Sequence, residues 1–484
     1  ERDLLFNTLS FFLFFAVGLL VHYSIPKSFR VIFLLLASYF FYMCWRPEYI
    51  VLILFSTVVD YICSRGIDSH RGNRFKQKMF LAVSIVSNLG LLGYFKYTHF
   101  LVGVFNDLNS SGFSVEQIIL PVGISFYTFQ TLGHTIDVYR GDIRAEKNFF
   151  KFSLFVSYFP QLVAGPIERA KNLLPQISHQ KELDRLQIRR GLIRFGWGLF
   201  KKVVIADRLV SFIDPVYQNP EGFSAFSLYM VTLMFAFQIY CDFSGYSDMA
   251  IGIARCLGVN LMDNFKRPYF SKSVSEFWGR WHMSLSFWFR DYLYIPLGGN
   301  KKGEWRRDAN LMATFLVSGL WHGASWNFIV WGGINGLFVA GGNVLKRYWP
   351  KSVSINWPFR NLMKAFITFH LICSSWIYFR AQDITTANYI LKKIISMDFF
   401  TSLSLILKNR SHDLFINQRA SEFQIAIGAI VFMELVHLWE RKRPLEDSIL
   451  LMERPYRWTF YIFMMLAIIN LGRAVHVPFI YFQF

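Results

Sequence analysis

The stretch SGLWHGASWNF, residues 318–328, places a titratable histidine inside one of the most apolar parts of the chain. An ionised side chain at membrane depth costs several kcal/mol unless it is neutralised, paired or hydrated. A neutral imidazole costs least, and it can accept a proton from a hydroxyl group. Gly323 and Ala324 leave room beside His322. Two interpretations of His322 stay open at this point: a catalytic base in a hollow part of the protein, and a packing residue hydrogen-bonded to a neighbouring carbonyl.

The composition of the whole chain is that of a membrane protein. Of its 484 residues, 54% are hydrophobic, 19% aromatic and 17% charged. A span needs about 20 mostly apolar residues to cross roughly 30 Å of hydrocarbon. Such stretches lie near residues 5–23, 30–45, 49–63, 79–95, 150–165, 224–241, 310–321, 326–345, 360–378, 421–438 and 457–471. Because we detect no internal repeat and no low-complexity linker, we predict one all-α integral membrane domain, residues 1–484, with roughly eleven spans.

The net charge of +19 is distributed as in a membrane protein rather than a nucleic-acid-binding protein. Lys and Arg collect in short loops between spans, as in residues 64–78 and 297–308. By the positive-inside rule these loops face the cytoplasm and the N-terminus faces outward. With no soluble basic domain, we expect membrane lipids and no nucleic acid among the partners.

Two segments interrupt the pattern of apolar spans with polar residues. In residues 120–142, Pro121, Gly123 and several polar side chains break an apolar run, which predicts a broken or re-entrant helix. In residues 186–209, basic residues that include Lys201 and Lys202 alternate with large apolar ones. That alternation predicts a helix lying along the membrane surface.

A third segment, residues 273–300, carries a second candidate histidine. Ser273 is a possible N-cap of a helix that would run to the Gly-rich turn at its end. On that helix His282, Ser286 and Arg290 stand at i, i+4 and i+8, on one face. The spacing predicts that this helix carries His282 towards a polar interior.

A polar cluster follows the span near residues 224–241. So many polar side chains at one span end indicate either a channel mouth or a solvated cap, and Asp242 could serve as an N-cap. No His or Cys cluster completes a ligand set, and the five cysteines are scattered, so we predict no metal site and no disulfide framework. The candidates for lining a channel or tunnel, here and after His322, are Gln238, Asp242, Ser244, Tyr246, Ser247, Asp248, Ser325 and Asn327.

Six ordered motifs give the chain a family resemblance. They are LPVGISFYTFQTL (120–132), LVAGPIER (162–169), YCDFSGYSDMAIG (240–252), WGRWHMSLSFWFRDYLYIPLGGN (278–300), SGLWHGASWNFIVWGG (318–333) and FIYFQF (479–484). Together they resemble the membrane-bound O-acyltransferase family. Within it they are similar to the bacterial branch of alginate O-acetylation, and less so to the D-alanyl transferases of teichoic acid. The resemblance extends from the first span to the last residue.

The resemblance implies a ring of tilted transmembrane helices around a thinned centre with a tunnel, together with re-entrant and interfacial helices. The near-invariant histidine of the family falls on His322 and its second histidine on His282. We therefore predict that His322 is the general base and that His282 steadies the donor carbonyl or orients the reaction geometry from the cytoplasmic side. Arg290 or Asp291 would set the tautomer of His282, and both are also candidates for binding substrate or lining the tunnel. The implied donor is a cytoplasmic acyl thioester, either acetyl-coenzyme A or an acyl carrier protein, with no tightly bound cofactor.

The implied function is O-acetylation of an exported or cell-surface polysaccharide by a multi-pass protein of the bacterial inner membrane. A periplasmic or extracellular Ser-dependent acetyltransferase and polysaccharide-export proteins are the implied partners. One alternative within the family is transfer of D-alanine or another acyl group to teichoic acid, peptidoglycan or lipid. An alternative of another class is a proton-coupled transporter or flippase in which His322 relays protons.

Overall fold

The computed structural model describes residues 4–163, 165–348, 359–396, 398–409, 418–473 and 479–480. Within these ranges the secondary structure consists of helices, with no strand. The all-α fold class predicted from the sequence is confirmed. Part of the connection at residues 396–420, to which the sequence assigns no role, and residues 481–484 of the terminal motif lie outside the described residues.

The chain divides into two compact units. The first unit comprises residues 1–195 and 246–263, and the second comprises residues 196–245 and 264–484. The helices begin with α1 (Leu9–Ser24), α2 (Lys27–Met43), α3 (Ile50–Ser69), α4 (Arg74–Leu92), α5 (Thr98–Asn109), α6 (Ile124–Arg140), α7 (Phe149–Ser157), α8 (Phe159–Leu162) and α9 (Ala170–Ser178). They continue with α10 (Arg185–Phe200), α11 (Asp207–Gln218) and α12 (Ala225–Cys256). The second unit then contains α13 (Val274–Trp278), α14 (Met283–Phe289), α15 (Glu304–His322), α16 (Trp326–Tyr348), α17 (Arg360–Arg380), α18 (Ile384–Ile395), α19 (Asp398–Asn409), α20 (Ala420–Trp439), α21 (Leu445–Leu450) and α22 (Arg454–Leu471).

Among the described residues, six helical stretches are long and apolar enough to cross a membrane. They are Pro47–Ser69, Arg74–Asn109, Ala225–Cys256, Trp326–Tyr348, Arg360–Arg380 and Ala420–Trp439. The protein is therefore a multi-pass membrane protein, as predicted. The expected number of eleven spans is not confirmed, and the single domain over residues 1–484 stays a prediction.

The helices α15 and α16 form a hairpin in which the two backbones touch. A Cβ atom on Gly319 would overlap the carbonyl oxygen of Phe328, and one on Gly332 would overlap the carbonyl oxygen of Phe315. Small residues at a helix crossing allow this close approach, which is a main source of helix association where there is no water to exclude. The contact holds the end of α15, with His322, against the first turns of α16.

Most of the polar segment 120–142 forms one continuous helix. The helix α6 is unbroken from Ile124 to Arg140, and most of its residues are buried. Gly123 precedes it with φ at 78°, in the left-handed region that favours glycine, and a Cβ there would lie 2.8 Å from the carbonyl oxygen of Leu162. The polar residues are enclosed by protein, where they are tolerated at membrane depth. The expected break is therefore wrong for residues 124–140, and the re-entrant alternative stays a prediction.

The basic segment 186–209 does not place its lysines at a surface. After α10 the chain forms a π-helical segment, Lys201–Ala206, in which Lys201 and Lys202 are 2% and 0% exposed. The Nζ atom of Lys202 lies 2.8 Å from a carboxylate oxygen of Asp207 and 2.7 Å from one of Asp242. A buried ammonium group needs such partners because its desolvation is costly. The surface position expected for these two lysines is wrong.

The α15–α16 contact predicts how two glycines of α16 differ. Gly332→Ala should destabilise the protein by about 1–3 kcal/mol, because the added methyl group overlaps the backbone of α15. Gly341→Ala is the matched control, since a Cβ at this position would meet nothing within 4 Å. Its main effect is to reduce the backbone freedom of the unfolded chain. Thermal unfolding of the two detergent-purified variants measures the difference. Equal melting temperatures would show that the crossing tolerates a larger residue.

Candidate active site

A cavity of about 390 Å³ lies within the second unit. Its walls come from α13, α14, α15 and α16 and from the turn at Asn300. The volume is in the range of small-molecule sites. Both His282 and His322 line it. The two histidines singled out from the sequence therefore meet in one cavity.

The helix α15 forms the long wall of this cavity. Its lining residues recur every three or four positions and so share one helical face. From position 307 to position 322 the rise of an α-helix is roughly 22 Å. Because the hydrocarbon core of a membrane is roughly 30 Å thick, the cavity has the length needed to reach far into it. The residues of this stripe are Arg307, Leu311, Thr314, Ser318 and His322.

The two histidines form the buried end of the cavity. His282 is 2% exposed and His322 is 4% exposed. Their ring centroids are 6.5 Å apart, so the two imidazoles are close neighbours. A small group that reaches this end of the cavity therefore meets both histidines.

The backbone at His282 is unusual, and Asn264 fixes the residues that follow it. His282 immediately precedes α14 with φ at 41°, in the left-handed region that few non-glycine residues adopt. The backbone carbonyl of Asn264 accepts a hydrogen bond from the Met283 amide at 2.9 Å. The Oδ1 atom of Asn264 accepts another from Ser284 Oγ at 2.6 Å. The continuous helix expected over residues 273–300 is therefore wrong, because the chain turns at His282 between α13 and α14.

Two features expected of that segment are nevertheless present. The Oγ atom of Ser273 accepts a hydrogen bond from the Glu276 amide at 3.1 Å and so caps α13. His282, Ser286 and Arg290 all line the cavity. Because α14 and the π-helical segment Arg290–Tyr294 continue directly from His282, the i, i+4, i+8 relation keeps these three residues on one side.

The opposite end of the cavity is exposed and carries two arginines. Arg290 is exposed and Arg307 is half-buried, and both line the cavity together with Asn300. The Nε atom of Arg290 donates a hydrogen bond to Asp291 at 2.7 Å. An arginine side chain at such a rim can hold an anionic ligand.

Asp308 fixes the second arginine of the rim. The Nε atom of Arg307 donates to its carboxylate at 3.1 Å, and Asn343 and Arg347 donate to the same side chain. Burial tends to raise the pKa of the Asp308 carboxyl, but hydrogen bonds from Arg307, Asn343 and Arg347 lower it on balance below its usual value. Asp308 therefore stays ionised at neutral pH and orients the guanidinium groups of Arg307 and Arg347.

The acidic residue Asp242 lies in a buried ionic cluster. The helix α12 continues to Cys256, so Asp242 is inside a helix and its expected role as an N-cap is wrong. Besides its ion pair with Lys202, its Oδ2 atom accepts a hydrogen bond from the Ile480 amide at 2.7 Å. Asp242 thus ties α11, α12 and the C-terminal segment together.

The neighbours of Asp242 on α12 that were predicted to line a channel are not among the described residues that line the cavity. Ser244 Oγ accepts a hydrogen bond from Lys201 Nζ at 3.0 Å, and Gln238 is buried in the same helix. In the first unit, Tyr246 and Ser247 are buried, and Asp248 pairs with Arg194 at 3.0 Å. Their assignment to a substrate path stays a prediction.

Three more predicted residues lie near the ends of the lining helices. Asp291 holds Arg290, as described above, and Ser325 directly precedes α16. The Nδ2 atom of Asn327 donates a hydrogen bond to the carbonyl of Ala381 at 2.8 Å and so pins the end of α17. None of the three is among the described residues that line the cavity.

The sequence analysis missed several residues of the cavity wall. Thr314 and Ser318 could have been found, because they continue the helical stripe that ends at His322. No sequence pattern points to Asn343 or to Asn264, which accepts the hydrogen bonds after His282, because each reaches the site only through the packing of distant segments.

Comparison with known proteins identifies the family of the chain. A model of the MBOAT, or membrane-bound O-acyltransferase, family matches residues 139–380, which are half of the chain and include every cavity residue named above. The chain belongs to this family. It is accordingly an enzyme, an O-acyltransferase, and not the transporter or flippase considered as an alternative.

Individual O-acyltransferases are similar over most of the chain. The probable alginate O-acetylase of Pseudomonas aeruginosa is 40% identical over 385 residues, which cover 78% of this chain and 72% of the relative. That of Pseudomonas putida is 35% identical over 492 aligned residues, 98% of each chain. The peptidoglycan O-acetyltransferase of Helicobacter pylori is 36% identical, covering 82% and 80%. The teichoic acid D-alanyltransferase of Streptococcus thermophilus is more distant, at 28% identity, so the resemblance inferred from the motifs is confirmed.

The hydrogen bonds that Asn264 accepts from Met283 and Ser284 predict a specific effect on O-acyl transfer. Asn264→Ala should lower the transfer rate per folded molecule by about 10- to 100-fold, because His282 loses its fixed position. Asn264→Asp keeps an oxygen that can accept from Ser284 and should restore much of the rate. Asn470→Ala, on the exposed face of α22, is the control. Equal specific activity of Asn264→Ala and wild type in monodisperse preparations would show that these hydrogen bonds do not position His282.

Proposed function

We propose that this enzyme takes an acetyl group from a cytoplasmic thioester donor and passes it through the cavity for O-acetylation of an exported or cell-surface polysaccharide. The proposal places the protein in the bacterial inner membrane. The observation that carries it is a cavity shared by two buried histidines at one end and two arginines at its exposed rim. The names of the Pseudomonas and Helicobacter relatives, an O-acetylase and an O-acetyltransferase, support acetyl as the acyl group and a polysaccharide as the final acceptor.

The shape of the cavity supports a donor whose charge and reacting carbonyl are far apart. Arg307 and His322 are separated by roughly 22 Å along α15. A phosphate held by the rim arginines would therefore need a long neutral arm to bring a thioester to the histidines. Acetyl-coenzyme A and an acyl carrier protein both have this form. The exposed Lys301, Lys302 and Arg306 beside the rim add positive charge that attracts such a donor.

The proposed chemistry uses the two imidazoles in different roles. Neutral His322 accepts the proton of the acceptor hydroxyl while the hydroxyl oxygen attacks the carbonyl carbon of the thioester. The tetrahedral oxyanion then collapses, the carbon–sulfur bond breaks, and the proton passes from His322 to the leaving thiolate. His282, on the other side of the reacting group, donates a hydrogen bond to the oxyanion or orients the carbonyl. The aromatic rings around His322 keep water from competing with the hydroxyl.

The hydroxyl acceptor is the polysaccharide itself or a residue of a partner protein. A periplasmic or extracellular Ser-dependent acetyltransferase is the partner that this chemistry requires in the second case, because a serine hydroxyl can receive the acetyl group and pass it on. Polysaccharide-export proteins and membrane lipids are the other proposed partners. Transfer of D-alanine is less well supported, since the relative with that name is the more distant one.

The proposal predicts separate effects of His322 on activity and on folding. His322→Ala should abolish surface O-acetylation, because loss of a general base lowers the rate by about 100- to 10,000-fold. The protein should remain folded, since the ring borders a cavity and alanine leaves no charge unpaired. His322→Gln keeps a polar side chain of similar shape without a basic nitrogen and should be equally inactive.

The measurement is ester-linked acetate on the cell-surface polysaccharide, divided by the amount of monodisperse protein extracted from the same cells. A packing role for His322 would give the reverse result, with less protein and near-normal activity per molecule. Substantial acetylation by well-folded His322→Ala protein would end the assignment of this residue as the base.

The rim offers a test with two adjacent arginines. Arg307→Gln should raise the KM for a phosphate-bearing acyl donor by about tenfold, the effect of losing one charge-assisted hydrogen bond, and the effect should shrink at high salt. Arg306→Gln is the matched comparison, because Arg306 is exposed, is not among the described lining residues and contributes only longer-range charge, so its variant should raise the KM by less. Initial rates against donor concentration at two ionic strengths give the KM of each variant. Equal KM values for the two variants would show that Arg307 does not hold the donor phosphate directly.

A further inference from the structure

We propose that Phe379 limits the length of the acyl group that this enzyme transfers. The inference rests on the proposed function, because it assumes that a thioester donor enters from the arginine rim and that its carbonyl stops beside His322. The acyl group is then the leading end of the donor. The acyl group must therefore fit the space that the side chains around the His322 imidazole leave open.

Aromatic rings enclose His322 on several sides. The centroid of its ring lies 4.9 Å from that of Trp321, 5.0 Å from that of Trp331 and 5.6 Å from that of Phe379. Each of these contacts is steeply inclined, with interplanar angles of 71° to 85°. Rings packed at these separations leave no room for a chain of methylenes between them. The buried end of the cavity therefore accommodates a small acyl group such as acetyl.

Phe379 is the ring of this group that lies at the end of a helix. Trp331 also contacts Trp278 at 5.6 Å and stacks on Trp376 at 5.8 Å, so its loss would disturb the packing of α13 and α17. Phe379 is the penultimate residue of α17. The backbone just beyond it is held independently, since Asn327 donates its hydrogen bond to the carbonyl of Ala381.

The consequence of removing the Phe379 ring is added space next to His322. Phe379 is 2% exposed, and its neighbours are themselves large rings, Phe328 at 5.0 Å and Trp376 at 5.3 Å. A large-to-small change in such a place leaves a dry apolar cavity on the order of 100–150 Å³. That volume accepts several methylene groups. Each methylene that a pocket accepts or rejects changes selectivity by about 10- to 200-fold.

The test compares acyl groups of different length in the same membranes. Inside-out vesicles from cells expressing the chain with its partner proteins receive labelled acetyl, propionyl or butyryl thioesters of coenzyme A and, separately, of phosphopantetheine. Label recovered in base-labile esters gives the rate for each acyl group. The variants are Phe379→Ala and the milder Phe379→Leu, and the control is Phe366→Ala, on the same helix with a ring that is 58% exposed.

We expect the ratio of butyryl to acetyl transfer to rise at least about tenfold in Phe379→Ala and by less in Phe379→Leu. The control should keep the wild-type ratio. Unchanged ratios in both Phe379 variants, or loss of all transfer in both while the protein remains monodisperse, would overturn the inference. Failure of the wild-type chain to transfer acetyl from either donor would instead contradict the proposed function, so the two outcomes are distinguishable.

Discussion

The contact between the backbones of α15 and α16 is the interaction on which the site depends. Gly319 lies one helical turn before His322, and its lack of a side chain lets the α15 backbone rest on that of α16. Gly336 extends the same contact towards the start of α15, where a Cβ would lie 2.9 Å from Met312 Sδ. With one face of α15 committed to this contact, an adjacent face is left to line the cavity. The imidazole of His322 is thereby fixed against the ring of Trp331.

A membrane imposes a second constraint, which separates structural from functional polar groups. Charges buried at depth need partners within the protein. Lys202, Asp207 and Asp242 meet this need among themselves, and Asp60 of the first unit does so through hydrogen bonds from Asn88 at 2.7 Å and Thr135 at 3.0 Å. These groups hold helices together. The histidines and the rim arginines instead face a cavity, which is why their side chains can act on a ligand.

The sequence predicted those features that depend on local pattern. Apolar stretches located the helices, and the six motifs and the isolated His322 located the site, because composition and spacing are local properties. The left-handed backbone at His282 could not be foreseen, since it depends on Asn264, which lies outside the predicted helix and binds Met283 and Ser284 through tertiary contacts. The burial of Lys202 was missed for the same reason. Basic residues among apolar ones predict a membrane surface unless distant carboxylates such as Asp242 are known to approach.

Under the proposed function, the arrangement of charge along α15 lets a membrane enzyme act on a charged donor without moving the charge through the hydrocarbon. The arginines that can hold an anion stand at the exposed end of the stripe, whereas the histidines stand roughly 22 Å deeper among aromatic rings. Only the neutral part of a donor has to enter the low-dielectric region, where burying a charge would cost several kcal/mol. A thioester is both neutral and already activated, so a neutral imidazole suffices as the base. The physical requirement that charge remain near water thus favours the division that the proposed function assigns to these residues, with donor binding at Arg307 and chemistry at His322.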